Sequence, residues 1–140
     1  MSNRRGAVAV VIRRGQFLVI RRSRSVVAPL AYCFPGGAIE PGESEEQAVL
    51  REFREELCVE IRPLRHLWRS VTSWGIALTW WLGDLPPDST PVANPAEVES
   101  VHWCTPQEML RLPGLLTSNR DFLDAIVRQE IDLAAELRDV

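Results

Sequence analysis

The sequence lacks any apolar run that approaches the roughly 20 residues a membrane span requires. Its first apolar run, Gly6 to Ile12, stops at Arg13 and Arg14, whereas a signal peptide has a longer apolar region and a small-residue cleavage site. The three cysteines are odd in number and lack CxxC spacing, which argues against a disulfide framework or a zinc site. We therefore expect a cytoplasmic protein with no membrane partner.

Excess positive charge is also missing, since the formal net charge is -3. Proteins that follow a nucleic-acid backbone are usually basic, so nucleic acid is not expected as a partner. A small phosphorylated substrate is still compatible, because a bound divalent cation can bring phosphate into an acidic site. The 140 residues suffice for one domain, expected to span residues 1–140. A homodimer stays open.

The order of apolar runs and turn residues predicts a mixture of strands and helices. Strands are predicted at residues 7–12, 16–20, 32–34, 58–71, 74–82 and 98–103. Helices are predicted at 44–57, 106–112 and 118–137, with Ser44 and Thr105 as N-caps. Pro35-Gly36-Gly37 is expected to stop the third strand, and the strand at 74–82 is apolar on both faces, as in a covered strand. Strict βαβ alternation is absent, so the predicted class is α+β, a mixed-sheet sandwich.

The predicted helix at 44–57 carries a group of carboxylates. At 100° per residue, Glu52, Glu55 and Glu56 lie within one 100° arc, beside an apolar arc that can pack on a sheet. Arg51 lies one turn before Glu55 and can pair with it. Three like charges this close call for a positive partner, and Mg²⁺ prefers oxygen ligands. Taken alone, such a pattern is usually a solvated helix face with i,i+4 pairs.

The spacing makes the pattern specific. Gly37 is followed after five residues by Glu43, and after seven more by Arg51-Glu52-Phe53-Arg54-Glu55-Glu56-Leu57-Cys58-Val59. This segment resembles the Nudix box, GX5EX7REUXEEXGU, where U is a bulky apolar residue. Its six fixed Gly or charged matches, at a background of roughly 7% each, arise by chance about once in ten million windows. One position departs, since Cys58 stands where the family has Gly. A left-handed helix end there costs a non-Gly residue roughly 1–2 kcal/mol, which predicts a stability defect rather than loss of activity.

The resemblance covers nearly the whole chain and implies a Nudix-type α/β/α sandwich with a mixed β-sheet. It also implies a pyrophosphohydrolase that uses Mg²⁺, with Mn²⁺ as a substitute, and cleaves a diphosphate linkage in a nucleoside diphosphate derivative. Water would attack phosphorus in that reaction. By the same resemblance the metal ligands are the Gly36 backbone carbonyl and the carboxylates of Glu52, Glu55 and Glu56. The two glycines, Gly36 and Gly37, let the backbone approach the ion, and Arg51 and Glu43 orient the carboxylates.

The catalytic base is less defined. Some family members use the glutamate at the Glu52 position, and others use a glutamate on a loop far along the chain. Here Glu97 and Glu99 are the loop candidates, and Glu97 lies six residues before Trp103, as a later acidic residue often does in these enzymes. Each could instead be an exposed carboxylate on a loop or edge strand.

Three residues are candidates for substrate binding. Arg21 and Arg22 end the second strand and could hold phosphates bidentately, or could form a solvated pair. In the branch of the family that removes oxidised purine nucleotides, an Asn just before the final helix reads the base, and Asn119 occupies such a place. The alternative is that Ser118 or Asn119 caps that helix.

Two other classes of protein compete with the enzyme. A Nudix-like module that binds a nucleotide or metabolite without hydrolysis would be indicated by loss of box carboxylates, and all of them are present. A protein-interaction domain would present an exposed apolar patch. The intact box favours the enzyme, while the group beyond the diphosphate stays open.

Overall fold

A seven-stranded mixed sheet forms the centre of the molecule, whose computed structural model describes residues 4–138. The strands are β1 (Arg5–Arg13), β2 (Gln16–Arg22), β3 (Tyr32–Cys33), β4 (Gly36–Ala38), β5 (Arg62–Val71), β6 (Ala77–Asp84) and β7 (Val98–Cys104). Their order is β3-β2-β1-β6-β5, with β4 also beside β1 and β7 beside β2. β1 and β6 are parallel, and the other described pairs are antiparallel. The predicted mixed sheet is confirmed.

Helices cover both faces of this sheet. They are α1 (Glu45–Leu57), α2 (Pro106–Leu110), α3 (Thr117–Val127) and α4 (Ala134–Leu137). Successive side chains of a strand point to opposite faces, so β1 serves two cores. Ala9 and Val11 pack on the α1 side, and Val8 and Val10 pack on the side of α2 and α3. This is the α/β/α sandwich expected from the sequence.

Local capping is also as predicted. Ser44 and Thr105 each accept a hydrogen bond from the third residue of the helix that they precede, and a Gln or Glu side chain there bonds back. At the other end of α1, Cys58 has φ 62° and ψ 19°, the left-handed conformation, and its N–H donates to the Arg54 carbonyl. The predicted left-handed helix end is confirmed.

The predicted continuous helix at 118–137 is wrong. α3 ends at Val127, Gln129 has φ 64°, and the Glu130 N–H donates to the Ala125 carbonyl, a bond that closes the helix end. The chain then turns back so that Ile131 and Leu133 are buried in the core beside α3. The apolar spacing looked helical because two elements on either side of a turn contribute to one core.

Other element boundaries differ for local reasons. The strand predicted at 58–71 begins at Arg62, because the left-handed Cys58 and a short connection come first. The strand predicted at 74–82 begins at Ala77, because the Thr72 hydroxyl accepts the N–H groups of Trp74 and Ile76 in a turn. The glycines predicted only to stop the third strand also form a strand of their own, because Gly36–Ala38 pairs with β1 as β4. The helix predicted at 106–112 ends at Leu110. Residues 1–3 and 139–140 of the predicted domain lie outside the described residues.

Candidate active site

The α1 helix holds its carboxylates at the edge of its contact with the sheet. Val49, Phe53 and Leu57 are fully buried on one face, as the apolar arc predicts. Glu56 adjoins that face and is only 5% exposed, while the side chain of Glu55 is half exposed. Neighbouring carboxylates of one helix therefore differ in exposure, with Glu56 buried and Glu55 half exposed to solvent.

Arg51 is the centre of an ion-pair network on this helix. Its Nε and Nη2 donate to both oxygens of Glu43 at 2.6 and 2.9 Å, and Nη1 donates to Glu52 at 2.9 Å. Nη1 also reaches Glu55 at 3.2 Å, the pair predicted from the spacing, and Nη2 donates to the Ala38 carbonyl. The hydrogen bonds from Arg51 lower the pKa of Glu43 to about 2. The guanidinium thus joins three carboxylates to the last residue of β4.

Glu56 faces the glycine segment directly. Its Oε1 accepts the Gly36 N–H at 2.9 Å, yet burial raises the pKa of this carboxyl to about 8, against the lowering effect of that bond. Glu52 and Glu97 raise it further because they are also acidic and close. Burial likewise raises the pKa of Glu52, with Arg51 opposing. Burial and mutual repulsion oppose ionisation of these carboxyl groups, and a bound cation would favour their ionised forms.

The two glycines have a steric purpose at this place. A Cβ on Gly36 would collide with the Ala7 carbonyl oxygen of β1. A Cβ on Gly37 would collide with the carboxylate of Glu52. A side chain at Gly36 would push β4 away from β1, and a side chain at Gly37 would displace the Glu52 carboxylate, so glycine here permits the close approach of backbone and carboxylate.

Glu97 lies on the loop between β6 and β7 and reaches the same carboxylates. Its charge contributes to the raised pKa of both Glu52 and Glu56. Within residues 4–138, its buried Oε2 atom finds no hydrogen-bond partner. Glu99, the other loop candidate, lies on β7 with its side chain exposed. The structure therefore brings Glu97 to the site.

Asn94 is a site residue that the sequence reading missed. Its backbone N–H donates to the Glu56 carbonyl at 2.9 Å, and its side-chain Nδ2 donates to the Glu55 carbonyl at 3.0 Å. These carbonyls belong to the last turn of α1, which has no intrahelical donors. The available signal was an Asn close to prolines in a loop, which indicates a turn but does not identify α1 as its partner.

The two predicted arginines lie on different faces of the sheet. Arg22 is on the α1 side, where it helps to lower the pKa of Glu56 and donates to Cys33 Sγ at 3.9 Å. Arg21 lies over the ring of Tyr32, which packs on the α3 side, and donates to the Leu30 carbonyl. Strand alternation separates them, so Arg22 is the arginine of this pair near the carboxylates.

Asn119 is buried at 4% exposure on the α3 side. Its Oδ1 accepts the Phe34 N–H at 2.8 Å, and its Nδ2 lies 3.2 Å from the Ser118 hydroxyl. It is the third residue of α3, whose N-cap is Leu116, so the alternative that Ser118 or Asn119 caps this helix is wrong. The Asn119 side chain instead fixes the segment that leads into Gly36.

The donor set of Glu52, Glu55, Glu56 and the Gly36 carbonyl fits a hard divalent cation in its chemistry, because all of its ligand atoms are oxygens. In the part of the chain that is described, no three acidic, histidine or cysteine side chains converge closely enough to hold an ion. The reason is visible in the geometry. Arg51 draws Glu43, Glu52 and Glu55 toward its guanidinium, where it acts as their positive partner.

The chain belongs to the Nudix family, since the model of the NUDIX domain matches residues 3–126. It is 35% identical over 109 residues to a Nudix hydrolase of Deinococcus radiodurans, a match that covers 69% of this chain and 60% of that protein. It is 32% identical over 108 residues to the CTP pyrophosphohydrolase of Escherichia coli, with 75% and 78% of the two chains covered.

Solved structures agree on the fold. The crystal structure of a MutT NUDIX hydrolase from Burkholderia pseudomallei has a TM-score of 0.70 at 25% identity, covering 86% of this chain and 95% of that one.

The chain spans less than two thirds of the first relatives, 60% of the Deinococcus hydrolase and 43% of a longer NAD-capped RNA hydrolase of the same organism. None of the helices within residues 4–138 is both long and apolar enough to cross a membrane.

Proposed function

We propose that this chain hydrolyses a diphosphate linkage in a small phosphorylated metabolite, with Mg²⁺ as cofactor and Mn²⁺ as a substitute. The observation that carries the proposal is the buried Glu56 carboxyl, whose pKa is raised by burial and by the charges of Glu52 and Glu97, beside a Glu97 oxygen that finds no partner among residues 4–138. Burying acidic groups together is unfavourable unless a cation joins them, so the arrangement is typical of a metal-dependent phosphoryl site.

The cation ligands in this proposal are Glu52, Glu55 and Glu56, together with the backbone carbonyl of Gly36. Binding requires Glu52 and Glu55 to exchange part of their bonds to Arg51 for bonds to the ion. Arg51 then keeps its bidentate contact with Glu43 and its bond to the Ala38 carbonyl, which hold the α1 helix against the glycine segment. When bound, Mg²⁺ supplies neutralisation of the crowded charge on the phosphate oxygens.

The chain's own groups supply the proton transfer. A water oxygen forms a bond to phosphorus, the bridging P–O bond breaks, and the leaving phosphate takes the electron pair of that bond. Glu97 accepts the water proton, because its Oε2 is free of protein partners among the described residues. Glu52 is the second candidate for this base, although its bond to Arg51 competes for the same lone pairs. Arg22 is the residue best placed to hold a phosphate.

A nucleotide derivative is the substrate class we favour. The similarity to a CTP pyrophosphohydrolase over 78% of that protein supports it. Arg21 and Asn119 lie on the α3 side of the sheet, so in this proposal they contact substrate only if it reaches that side. In the structure Arg21 donates to the Leu30 carbonyl and Asn119 accepts the Phe34 N–H. A Nudix-like module that binds without hydrolysis is the competing function, and the intact carboxylate set weighs against it.

A panel of nucleoside di- and triphosphate derivatives, assayed with Mg²⁺ for released phosphate or pyrophosphate, tests the proposal. We expect turnover that depends on the metal, and Glu97→Gln should lower kcat by about 100-fold or more. Its Mn²⁺ affinity, measured by titration, should change little, since the box ligands stay in place. Glu99→Gln is the matched control and should behave as wild type. Binding of a nucleotide without release of phosphate or pyrophosphate would favour the non-hydrolytic module.

A further inference from the structure

The loop that carries Glu97 is fastened to the C-terminal end of α1 by three hydrogen bonds. The Val92 N–H donates to the Leu57 carbonyl at 2.9 Å, and Asn94 donates from its backbone to Glu56 and from its side chain to Glu55. These carbonyls belong to two predicted metal ligands and to the residue after them. The loop and the metal-binding turn of α1 are therefore one connected unit.

Within the loop, Asn94 also determines the path to Glu97. Its Oδ1 accepts the Ala96 N–H at 3.2 Å, and its carbonyl accepts the N–H groups of Glu97 at 2.9 Å and Val98 at 2.8 Å. Asn94 thus bonds to α1 on one side and closes the turn that presents Glu97 on the other. An Asn suits both tasks, because its carboxamide offers a donor and an acceptor together.

A second contact holds the same turn from the opposite direction. Ser23, which follows β2, donates from its hydroxyl to the Ala96 carbonyl and from its backbone to the Glu97 carbonyl, both at 3.0 Å. Ser23 is 3% exposed, so these bonds are shielded from water. The Glu97 backbone is held from α1 by Asn94 and from β2 by Ser23.

We propose that Asn94 is a positioning residue for the reaction, which sets the distance between the Glu97 carboxylate and the metal-binding turn of α1. The inference rests on the proposed function, in which Glu97 accepts the water proton. A general base acts only within hydrogen-bond reach of its proton, and a displacement of about 1 Å in a reacting group can cost as much as 100-fold in rate. Asn94 exerts such control because it bonds both to the Glu97 backbone and to the last turn of α1.

A simpler role for Asn94 is to satisfy the last carbonyls of α1 and so stabilise the helix. The two roles differ in what depends on Glu97. A helix cap would affect stability whether or not Glu97 carries a carboxylate, whereas a positioning residue loses its effect on rate once the carboxylate is removed. A double-mutant cycle between the two residues therefore separates them.

The experiment measures kcat, KM and Mn²⁺ affinity for Asn94→Ala, Glu97→Gln and the double variant, on the best substrate of the panel. We expect Asn94→Ala to lower kcat about tenfold while KM and Mn²⁺ affinity stay within about twofold. The double variant should be no slower than Glu97→Gln alone. Val92→Ala is the control in the same loop, because its side chain is 58% exposed and its backbone bond is kept. Thermal unfolding confirms that each variant is folded at the assay temperature.

If Asn94→Ala does not fold, Ser23→Ala gives a milder test, since it removes the hydroxyl bond to Ala96 and keeps the backbone bond to Glu97. A smaller loss of kcat that also disappears in the Glu97→Gln background supports the proposal. Losses that multiply in the double variant, or a wild-type kcat in Asn94→Ala, overturn the positioning role alone. A wild-type protein without turnover on the whole panel overturns the proposed function as well.

Discussion

The two faces of the central sheet are built on opposite principles. On the α3 side, Phe17, Phe34, Trp80 and Phe122 are at most 3% exposed and meet edge to face or, for Trp80 and Phe122, stacked at 4.6 Å. The buried carboxamide on that side, Asn119, has partners for its oxygen and its nitrogen. This face gains stability from ring packing.

The α1 side carries several unfavourable features. It contains the buried Glu56 carboxyl, whose pKa is raised to about 8, and the left-handed Cys58 at the helix end. It also contains Glu97, one of whose carboxylate oxygens is unpartnered within the described residues. Functional sites commonly hold such groups against their preference, with the rest of the fold as the compensating source of stability. The comparison teaches that the site and the aromatic core of this sandwich occupy opposite faces.

The largest effect is expected when the α1 face loses one of the proposed metal ligands. Glu56→Gln keeps an oxygen that can accept the Gly36 N–H, so the fold should persist, but the charge for the cation is lost. We expect kcat to fall by two or more orders of magnitude. Glu60→Gln, an exposed carboxylate just beyond the same helix, is the control and should turn over as wild type. Equal activity of the two variants in saturating Mg²⁺ would show that the ligand assignment is wrong.

The next prediction asks whether the α3 face meets substrate at all. Asn119→Leu leaves the buried Phe34 N–H without its acceptor and should cost about 1–3 kcal/mol of unfolding free energy. Asn119→Asp keeps the acceptor and places its charge in the first turn of α3, where the helix dipole favours it. Because Asn119 is 4% exposed, burial of the new charge should lower the melting temperature. Assayed at a temperature where it is folded, Asn119→Asp should keep its kcat/KM on purine nucleotides within about threefold. A loss of tenfold or more in the folded variant would instead support base reading by the carboxamide.

A third prediction sharpens the contrast within α1 itself, whose first turn is anchored rather than strained. Burial opposes ionisation of Glu45, yet bonds from Arg69, Thr79 and Trp81 outweigh it and hold its pKa at about 2. Because this folded pKa lies below the ordinary value, the ionised form adds stability above pH 4.5 that is lost as pH falls toward 2.

Glu45→Gln should therefore lower the unfolding free energy at pH 7 by about 2 kcal/mol, and the difference from wild type should shrink between pH 4.5 and 2. Urea titrations at pH 7, 4 and 2.5 measure it. The exposed neighbour Glu46 provides the control, and Glu46→Gln should change stability by only a few tenths of a kcal/mol. A difference that stays constant across the three pH values would contradict the ion-pair origin.

The smallest effect concerns the helix end. Cys58 adopts φ 62°, which costs a residue with a Cβ roughly 1 kcal/mol or more, so Cys58→Gly should raise stability by about 1 kcal/mol. Cys58→Ala keeps the Cβ and should show no gain. Chemical denaturation of both variants measures the difference. Equal stability of the glycine and alanine variants would mean that the conformation is unstrained.

The features that the sequence predicted are those set by near neighbours in the chain. The caps at Ser44 and Thr105 and the Arg51–Glu55 pair follow from residues within about one helical turn. The left-handed Cys58 follows from the glycine that the Nudix box has at its position. The Asn94 bond to the Glu55 carbonyl joins residues 39 apart, and the Asn119 bond to Phe34 joins residues 85 apart. Loop and buried amides have many potential partners, and only the folded path selects one.

The break in the final helix shows the same limit in another form. Apolar residues before and after Gln129 fall on one helical stripe, so periodicity alone predicts a single helix. The turn prevails because it lets Ile131 and Leu133 reach a core that a straight helix would leave behind. Tertiary burial here outweighs the local helical pattern.

That turn has a practical consequence for anyone joining this domain to another protein. The family model ends at residue 126, and a fusion point chosen from it would remove Ile131 and Leu133, which are 3% and 1% exposed. Ile131 and Leu133, which follow α3, complete the aromatic core. A tag or partner domain should therefore be attached only beyond them. Substitutions at Ile131 and Leu133 would therefore change thermal resistance from a point remote from the carboxylates.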